Sequence, residues 1–262
     1  MKTGFFDDGF AVYDNDPLIA RWAAAVRPFA EAALQDQANL DRWLVCQGTW
    51  FVGVDALETG PNGEAGSTPL RGQVIGDLKQ RYPVKQPMHK AQLSVVYPGY
   101  PKPRDGESEA AFRYRERRDA AHVDGLHATG VNRRRHLVEH HAYLLGIPIT
   151  RASSQASPLV VWKGSHKVVQ SWLADQFAGL AESDWAGADL TDRYLSIRRQ
   201  IFESCPRVEV PVQPGQAVIM HRHALHGIAP WGATACAESE RRMIAYFRPE
   251  MAGSLTDWLQ LP

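Results

Sequence analysis

The residues best suited to chemistry are His122 and Asp124, in Ala121-His122-Val123-Asp124-Gly125, and the histidines of His221-Arg222-His223-Ala224-Leu225-His226-Gly227. Side chains two apart on a strand project from the same face, so His122 and Asp124 would present an imidazole and a carboxylate together. One more imidazole from a distant strand completes a set of two His and one carboxylate. Such a set takes one face of an octahedral divalent metal and leaves the other positions open, the ligand arrangement of non-haem Fe(II) oxygenases. A lone His-x-Asp is weak evidence, because the bland alternative is a strand-end His with an Asp capping the turn at Gly125. The downstream stretch supplies the weight. Pro214-Gly215 makes a tight turn, Ala217 to Met220 is an apolar strand, and the histidines follow. His226 is the expected third ligand, since Gly227 lets the backbone come close to a ligand. His221 and His223 lie two apart and are rivals for that role, His223 the stronger; otherwise they are satisfied polar residues beside the site.

Arg241 and Arg242 stand at the head of the last apolar strand, Arg242 to Phe247. Of two adjacent strand residues one faces inward and the other outward. An inward guanidinium near a metal suits a carboxylate, because its planar fork binds two oxygens at once. The alternative is that both are surface residues.

These residues need a scaffold of strands, and the chain reads that way. His89 to Tyr97 alternates, with Gln92 and Ser94 on one face and Leu93 and Val95 on the other. Further strands are expected at His141 to Thr150, Leu159 to Trp162, Arg207 to Val212 and Ala217 to Met220, with Pro211 pointing to a sheet edge. Asp16 to Leu34 is an amphipathic helix with Asp16 as N-cap, Pro17 in the first turn and an apolar stripe through Ile19, Trp22, Val26 and Ala30. Lys167 to Phe177, capped by Ser165, and Leu190 to Ser204 are further helices. Gly60 to Ser67 is a loop, Ala111 to Arg118 a charged mobile segment, and Asn132 to His136 a basic turn. No repeat or linker divides the 262 residues, so a single domain over 1–262 is expected. Strands that bring ligands from distant parts of the chain fit a mainly β protein with flanking α-helices around a double-sheet jelly roll.

Composition bounds the function. Lys plus Arg and Asp plus Glu number 29 each, so no global charge argues for nucleic acid or a membrane as partner. The opening Met1 to Asp8 is acidic and lacks the apolar run of a secretory signal. With three widely spaced cysteines, this points to reduced thiols and a cytoplasmic protein. No apolar stretch is long enough to span a bilayer. The arginine runs at 113–118 and 133–135 flank the His-x-Asp stretch; they suit an anionic substrate but are more often solvated.

Together these motifs resemble the phytanoyl-CoA dioxygenase family of Fe(II)- and 2-oxoglutarate-dependent oxygenases, over most of the chain. Phe5 to Val12 is similar to the family's Asp-Gly-Phe opening, and His122-Val123-Asp124 to its His-x-Asp. Leu159 to Lys167 is similar to its strand ending in Gly-Ser-His, Pro214 to Gly227 to its distal-His strand, and Arg241 to Ala245 to its Arg-Arg-x-Ile strand. The resemblance implies a double-stranded β-helix (jelly-roll, cupin-like) core. It further implies Fe(II) held by His122, Asp124 and His226, and 2-oxoglutarate chelated to the metal with its far carboxylate on Arg241, whose strand register matches the family better than that of Arg242. The reaction implied is oxidation of a small organic substrate with release of succinate and CO2. In related halogenases Gly or Ala replaces the carboxylate to admit halide, so Asp124 implies hydroxylation or another oxidation. Two features depart from the family: the long segment Gly232 to Glu240 after Pro230-Trp231, and Ile228 where a small hydroxyl residue is usual. The competing readings are a cupin-type metal enzyme that does not use 2-oxoglutarate and ligates through His221 or His223, and a non-catalytic barrel binding module.

Overall fold

A computed structural model describes residues 1, 2 and 4–262. In chain order the elements are α1 (Gly4–Asp8), β1 (Phe10–Tyr13), α2 (Pro17–Ala33), α3 (Gln37–Trp43), β2 (Leu44–Val45), β3 (Trp50–Phe51), α4 (Gln73–Arg81), β4 (Gln92–Val96), α5 (Glu109–Arg117), β5 (Leu126–Thr129) and β6 (Arg134–Leu137). There follow β7 (Leu144–Pro148), β8 (Leu159–Trp162), α6 (Ser165–Phe177), α7 (Thr191–Ser204), β9 (Arg207–Val210), β10 (Ala217–Met220), β11 (His226–Ile228), β12 (Arg242–Phe247) and α8 (Leu255–Gln260).

A seven-stranded sheet in the order β1-β10-β7-β12-β4-β3-β2 faces a three-stranded sheet in the order β11-β8-β9, and β5-β6 forms a separate hairpin. All pairings between these strands are antiparallel. The fold is therefore mainly antiparallel sheet with flanking helices. Among the described residues the two sheets are not joined by one continuous ladder into a closed barrel; a bridge at His122 and His226 ties the β11 side to the chain that leads into β5.

Alternation along the strands divides the core. On β12, Met243, Ala245 and Phe247 face the helical layer, where Trp22 of α2 packs on Phe247 with ring centroids 5.5 Å apart. Ile244 and Tyr246 face the opposite sheet, clustering with Leu159 and Val161 of β8 and with Met220 of β10. Strand β4 obeys the same rule: Leu93 and Val95 lie in the helical-side core, while Gln92 and Ser94 point between the sheets. Full burial of a side chain such as Leu93 contributes roughly 1.5–3 kcal/mol. The α2 helix starts as its sequence predicts, with the Asp16 carboxylate accepting from the Leu18 N–H at 2.8 Å.

Several local expectations are corrected. The charged segment at 111–118 is helical: Ser108 caps α5, and Glu109 pairs with Arg113 one turn on, so opposite charges at helical spacing order it. Within the stretch read as a basic turn, only the linking residues turn, and Arg134 to His136 belong to β6. Ser165 does not cap α6; its hydroxyl accepts from the Leu225 N–H at 2.9 Å and ties the helix start to the chain entering β11. Strand β9 stops at Val210, before Pro211, at the edge of its sheet. Among the described residues no helix is long and apolar enough to cross a membrane.

Candidate metal centre

His122 lies just before the β5-β6 hairpin and His226 opens β11. The two are paired through their backbones: the His122 N–H donates to the His226 carbonyl at 2.8 Å, and the His226 N–H donates to the His122 carbonyl at 3.0 Å. This pairing puts the two imidazoles side by side, with ring centroids 4.6 Å apart. Asp124, two residues on, projects with His122. Its Oδ1 lies 3.1 Å from His122 Nε2 and 3.9 Å from His226 Nε2. One ligand atom from each of His122, Asp124 and His226 falls within 4.8 Å of the others. Among the described residues these form the one group of three or more His, Cys, Asp or Glu with such spacing.

The donor set fits a divalent cation. The Nδ1 atoms of His122 and His226 each face a carbonyl two residues upstream, Ala120 at 3.1 Å and Ala224 at 2.9 Å. A carbonyl only accepts, so each Nδ1 carries a hydrogen, and each Nε2 is the nitrogen turned toward Asp124. Burial, reinforced by the neighbouring His122, pushes the His226 pKa down to about 4, with Asp124 opposing, so its imidazole is neutral at physiological pH. Burial alone would raise the Asp124 pKa, but the hydrogen bond from His122 and the charge of Arg248 outweigh it and hold the carboxyl well below its usual range. Two imidazole nitrogens and one ionised oxygen on one side of an open space are what an octahedral Fe(II) with vacant positions requires.

Glycines fix this geometry. A side chain at Gly227 would run into the Asp119 carbonyl, and Gly125 has φ of +80° and would meet the Glu139 carbonyl. The close approach at Gly227 is thus to the protein's own backbone, where a ligand had been expected. Around the site, the Tyr194 hydroxyl accepts from the Val123 N–H at 3.0 Å, Arg198 donates to the Ala121 carbonyl at 2.8 Å, and Arg207 makes a two-pronged pair with buried Asp119. Rigid support of this kind keeps ligands aligned.

The three ligand candidates border a cavity of about 150 Å³ between the sheets, whose walls include Trp50, Gln92, Ser94, Met220, Ile228 and Tyr246. The Trp50 indole N–H donates to the Ser94 hydroxyl at 3.3 Å. Ile228 stands in that wall, so no hydroxyl is supplied from position 228.

His221 and His223 lie elsewhere. The chain leaves β10 after Met220 in a turn closed by the Ala224 N–H donating to the His221 carbonyl at 2.9 Å, so strand alternation no longer relates these histidines to His226. His221 packs on Phe5 and His166, and His223 meets the Trp258 ring edge-on. Both are fully buried behind the site, and burial pushes both pKa values well down. Arg222 between them donates to the Trp258 carbonyl at 2.6 Å and to that of Leu261, holding the C-terminal end of α8, where a cation is favoured.

The two adjacent arginines part company as alternation demands, but in the order opposite to the one expected. Arg241 points away from the cavity and pairs with Glu31 of α2. Arg242 is 6% exposed and lies on the same strand face as Ile244 and Tyr246. Its Nη1 and Nη2 are buried with no hydrogen-bond partner; burial raises the pKa of the neighbouring Tyr246 hydroxyl, and the Arg242 guanidinium opposes that rise. A buried guanidinium with an idle fork is costly and fits a carboxylate held bidentately. Arg248, three alternations from Arg242, lines the cavity with Tyr246, a role that local sequence does not announce; the parity of 242, 244, 246 and 248 is the available signal. The arginine runs mostly serve the fold: Arg115 pairs with Glu107, Arg134 with Asp189, and Arg135 lies over the Tyr194 ring.

No family model and no curated protein matches the sequence. Among solved structures the chain is similar to the non-heme alpha-ketoglutarate-dependent carbocyclase SnoK from nogalamycin biosynthesis, with a TM-score of 0.50 and 15% identity over 97% of this chain and 86% of that one. Weaker likenesses are to AviO1 from Streptomyces viridochromogenes Tue57 (TM-score 0.43, 15% identity, 96% and 95% covered) and to the epimerase SnoN from nogalamycin biosynthesis (TM-score 0.46, 11% identity, 94% and 78% covered). The likeness to SnoK is one of fold.

Proposed function

We propose that the chain is an Fe(II)- and 2-oxoglutarate-dependent oxygenase, one domain built on a double-stranded β-helix, that hydroxylates a small organic substrate. The observation that carries this reading is the meeting of His122, Asp124 and His226 at one cavity, together with the buried, unpartnered fork of Arg242 on the β12 face that Tyr246 turns to that cavity. That combination supports a metal and a dicarboxylate cosubstrate together, which neither a bare cupin metal site nor a binding module explains. The fold shared with SnoK, described as alpha-ketoglutarate (2-oxoglutarate) dependent, agrees with it.

The roles follow from position. His122, Asp124 and His226 hold Fe(II) on one side. Arg242 takes the far carboxylate of 2-oxoglutarate, the part assigned to Arg241 from sequence, because it is the inward member of the pair. When bound, the iron and cosubstrate supply oxidative decarboxylation to succinate and CO2 coupled to C–H hydroxylation. Met220, Ile228, Leu144 and Leu159 keep the cavity apolar and exclude water, while Gln92, Ser94 and Tyr246 give it oriented polar groups. Such walls leave the hard chemistry to the cofactor and supply orientation.

The test is turnover. Protein supplied with Fe(II), oxygen and 2-oxoglutarate should release succinate, and a screen of small organic compounds should find one that stimulates the release. Oxidation of a substrate at the same rate without 2-oxoglutarate would instead favour the cupin-type enzyme.

A further inference from the structure

Asp124 has two oxygens, and they face different partners. Oδ1 faces the two imidazole Nε2 atoms at 3.1 and 3.9 Å. Oδ2 faces Nη1 of Arg248 at 3.5 Å. The Asp124 and Arg248 side chains are only 9% and 12% exposed, so this is a partly desolvated pair, in which charge counts for more than it does on the surface. Asp124 is the one carboxylate in ion-pair range of Arg248 among the described residues.

The backbone that delivers Arg248 is held firmly. Its carbonyl accepts from His141 Nδ1 at 2.9 Å and from His89 Nε2 at 3.0 Å. His141 Nε2 in turn lies 3.1 Å from Glu139, which also meets His127 at 3.0 Å. Pro249 follows, which keeps Arg248 extended, and the Pro249 carbonyl accepts from the Ala142 N–H at 2.8 Å. Three histidines outside the ligand set thereby brace the end of β12, so that a side chain on its inner face reaches the outer oxygen of the carboxylate.

We infer that Arg248 is a positioning residue that occupies Oδ2 of Asp124, so that Asp124 offers the metal one oxygen and not two. The inference rests on the metal-centre reading above. A carboxylate free to bind through both oxygens would take a second position on the ion. Single-oxygen ligation leaves that position to cosubstrate or oxygen. The arrangement has a cost, because a cation beside the carboxylate opposes the bound dication; metal affinity is given up for an open coordination position.

The experiment is anaerobic Co(II) titration of the full chain, read by the visible spectrum of the bound ion and without any turnover. Arg248→Met should bind Co(II) more tightly, by about tenfold from removal of a nearby positive charge. Its visible bands should weaken, as they do when Co(II) gains a ligand. Arg248→Lys keeps the charge and should retain wild-type affinity. Unchanged or weaker binding by Arg248→Met, with a cooperative melt like that of the wild type, would overturn the inference, since a purely structural residue can only lose affinity when removed. Should the Met variant fail to melt cooperatively, Arg248→Leu, which likewise removes both the charge and the hydrogen-bonding head, takes its place with the same expected result. Absence of Co(II) uptake by the wild type would remove the metal reading itself; uptake by the wild type with no change in the variants would remove only the role of Arg248.

Discussion

Asp124→Asn lowers divalent-metal affinity by more than about 100-fold, beyond the roughly 10–100-fold that loss of an outer partner of a ligand costs. The reason is charge as well as contact. Asp124 is the one anion in the ligand cluster, and both imidazoles are oriented by carbonyls so that their Nε2 atoms turn toward its Oδ1. The amide keeps the shape but contributes no negative charge, and its NH2 end can face the His nitrogens only as a donor. Asp124→Gly goes further and removes the ligand, and hydroxylation is lost in both variants. Asp124→Glu keeps the charge and moves the oxygen by one methylene, whereas ligand distances tolerate only about 0.2 Å; it retains metal while succinate release uncouples from substrate oxidation. Isothermal titration with Fe(II) or Co(II) under anaerobic conditions measures the first effect, and product ratios measure the last.

Arg242→Met abolishes tight 2-oxoglutarate binding, while Arg241→Ala leaves it unchanged. Truncating one partner of a buried charge pair costs about 2–5 kcal/mol, a loss of roughly 30-fold or more in affinity. The protein without cosubstrate should respond in the opposite sense. Arg242 is buried with two idle nitrogens, and replacing an unpaired buried charge by an apolar side chain of similar length is neutral or stabilising. The Met variant should therefore melt at or above the wild-type temperature. Arg241→Ala gives up a partly exposed pair with Glu31, worth about 0–1 kcal/mol, and no binding. Equal loss of binding in both variants would mean that the effect is structural and that neither guanidinium is the anchor.

The difference between these two arginines shows how far the sequence could be read. The convergence of His122, Asp124 and His226 was legible from residue type and spacing, although His122 sits in a single bridge and Asp124 in a turn ahead of β5 and not on a strand; local rules also located most strands, α2 and the loop at 60–67. The inward member of the arginine pair depended on where β12 begins its register. A short turn at Glu238–Glu240, with Ser239 and Glu240 at φ of +55° and +53°, sets that register within the long segment Gly232 to Glu240, and no local pattern announces it. Arg248 was missed for a related reason: it follows the last apolar residue of its strand and reads as a surface charge until Asp124 is brought opposite it. The turn after Met220 likewise broke the alternation on which His223 depended as a rival ligand. The helix at 109–117 was hidden by its charge, since it buries no residue fully and is held by capping and ion pairs and not by an apolar stripe.

The central claim is that this chain holds iron and 2-oxoglutarate together at one site, and the most direct measurement is the visible spectrum of the anaerobic protein as the two are added in turn. Fe(II) alone should give about one ion bound per chain and no visible band; 2-oxoglutarate should then bring up the weak charge-transfer band of a chelated keto acid, with saturation at one equivalent. Stoichiometric Fe(II) binding with no band at any 2-oxoglutarate concentration would contradict the account and leave a metal site of another chemistry.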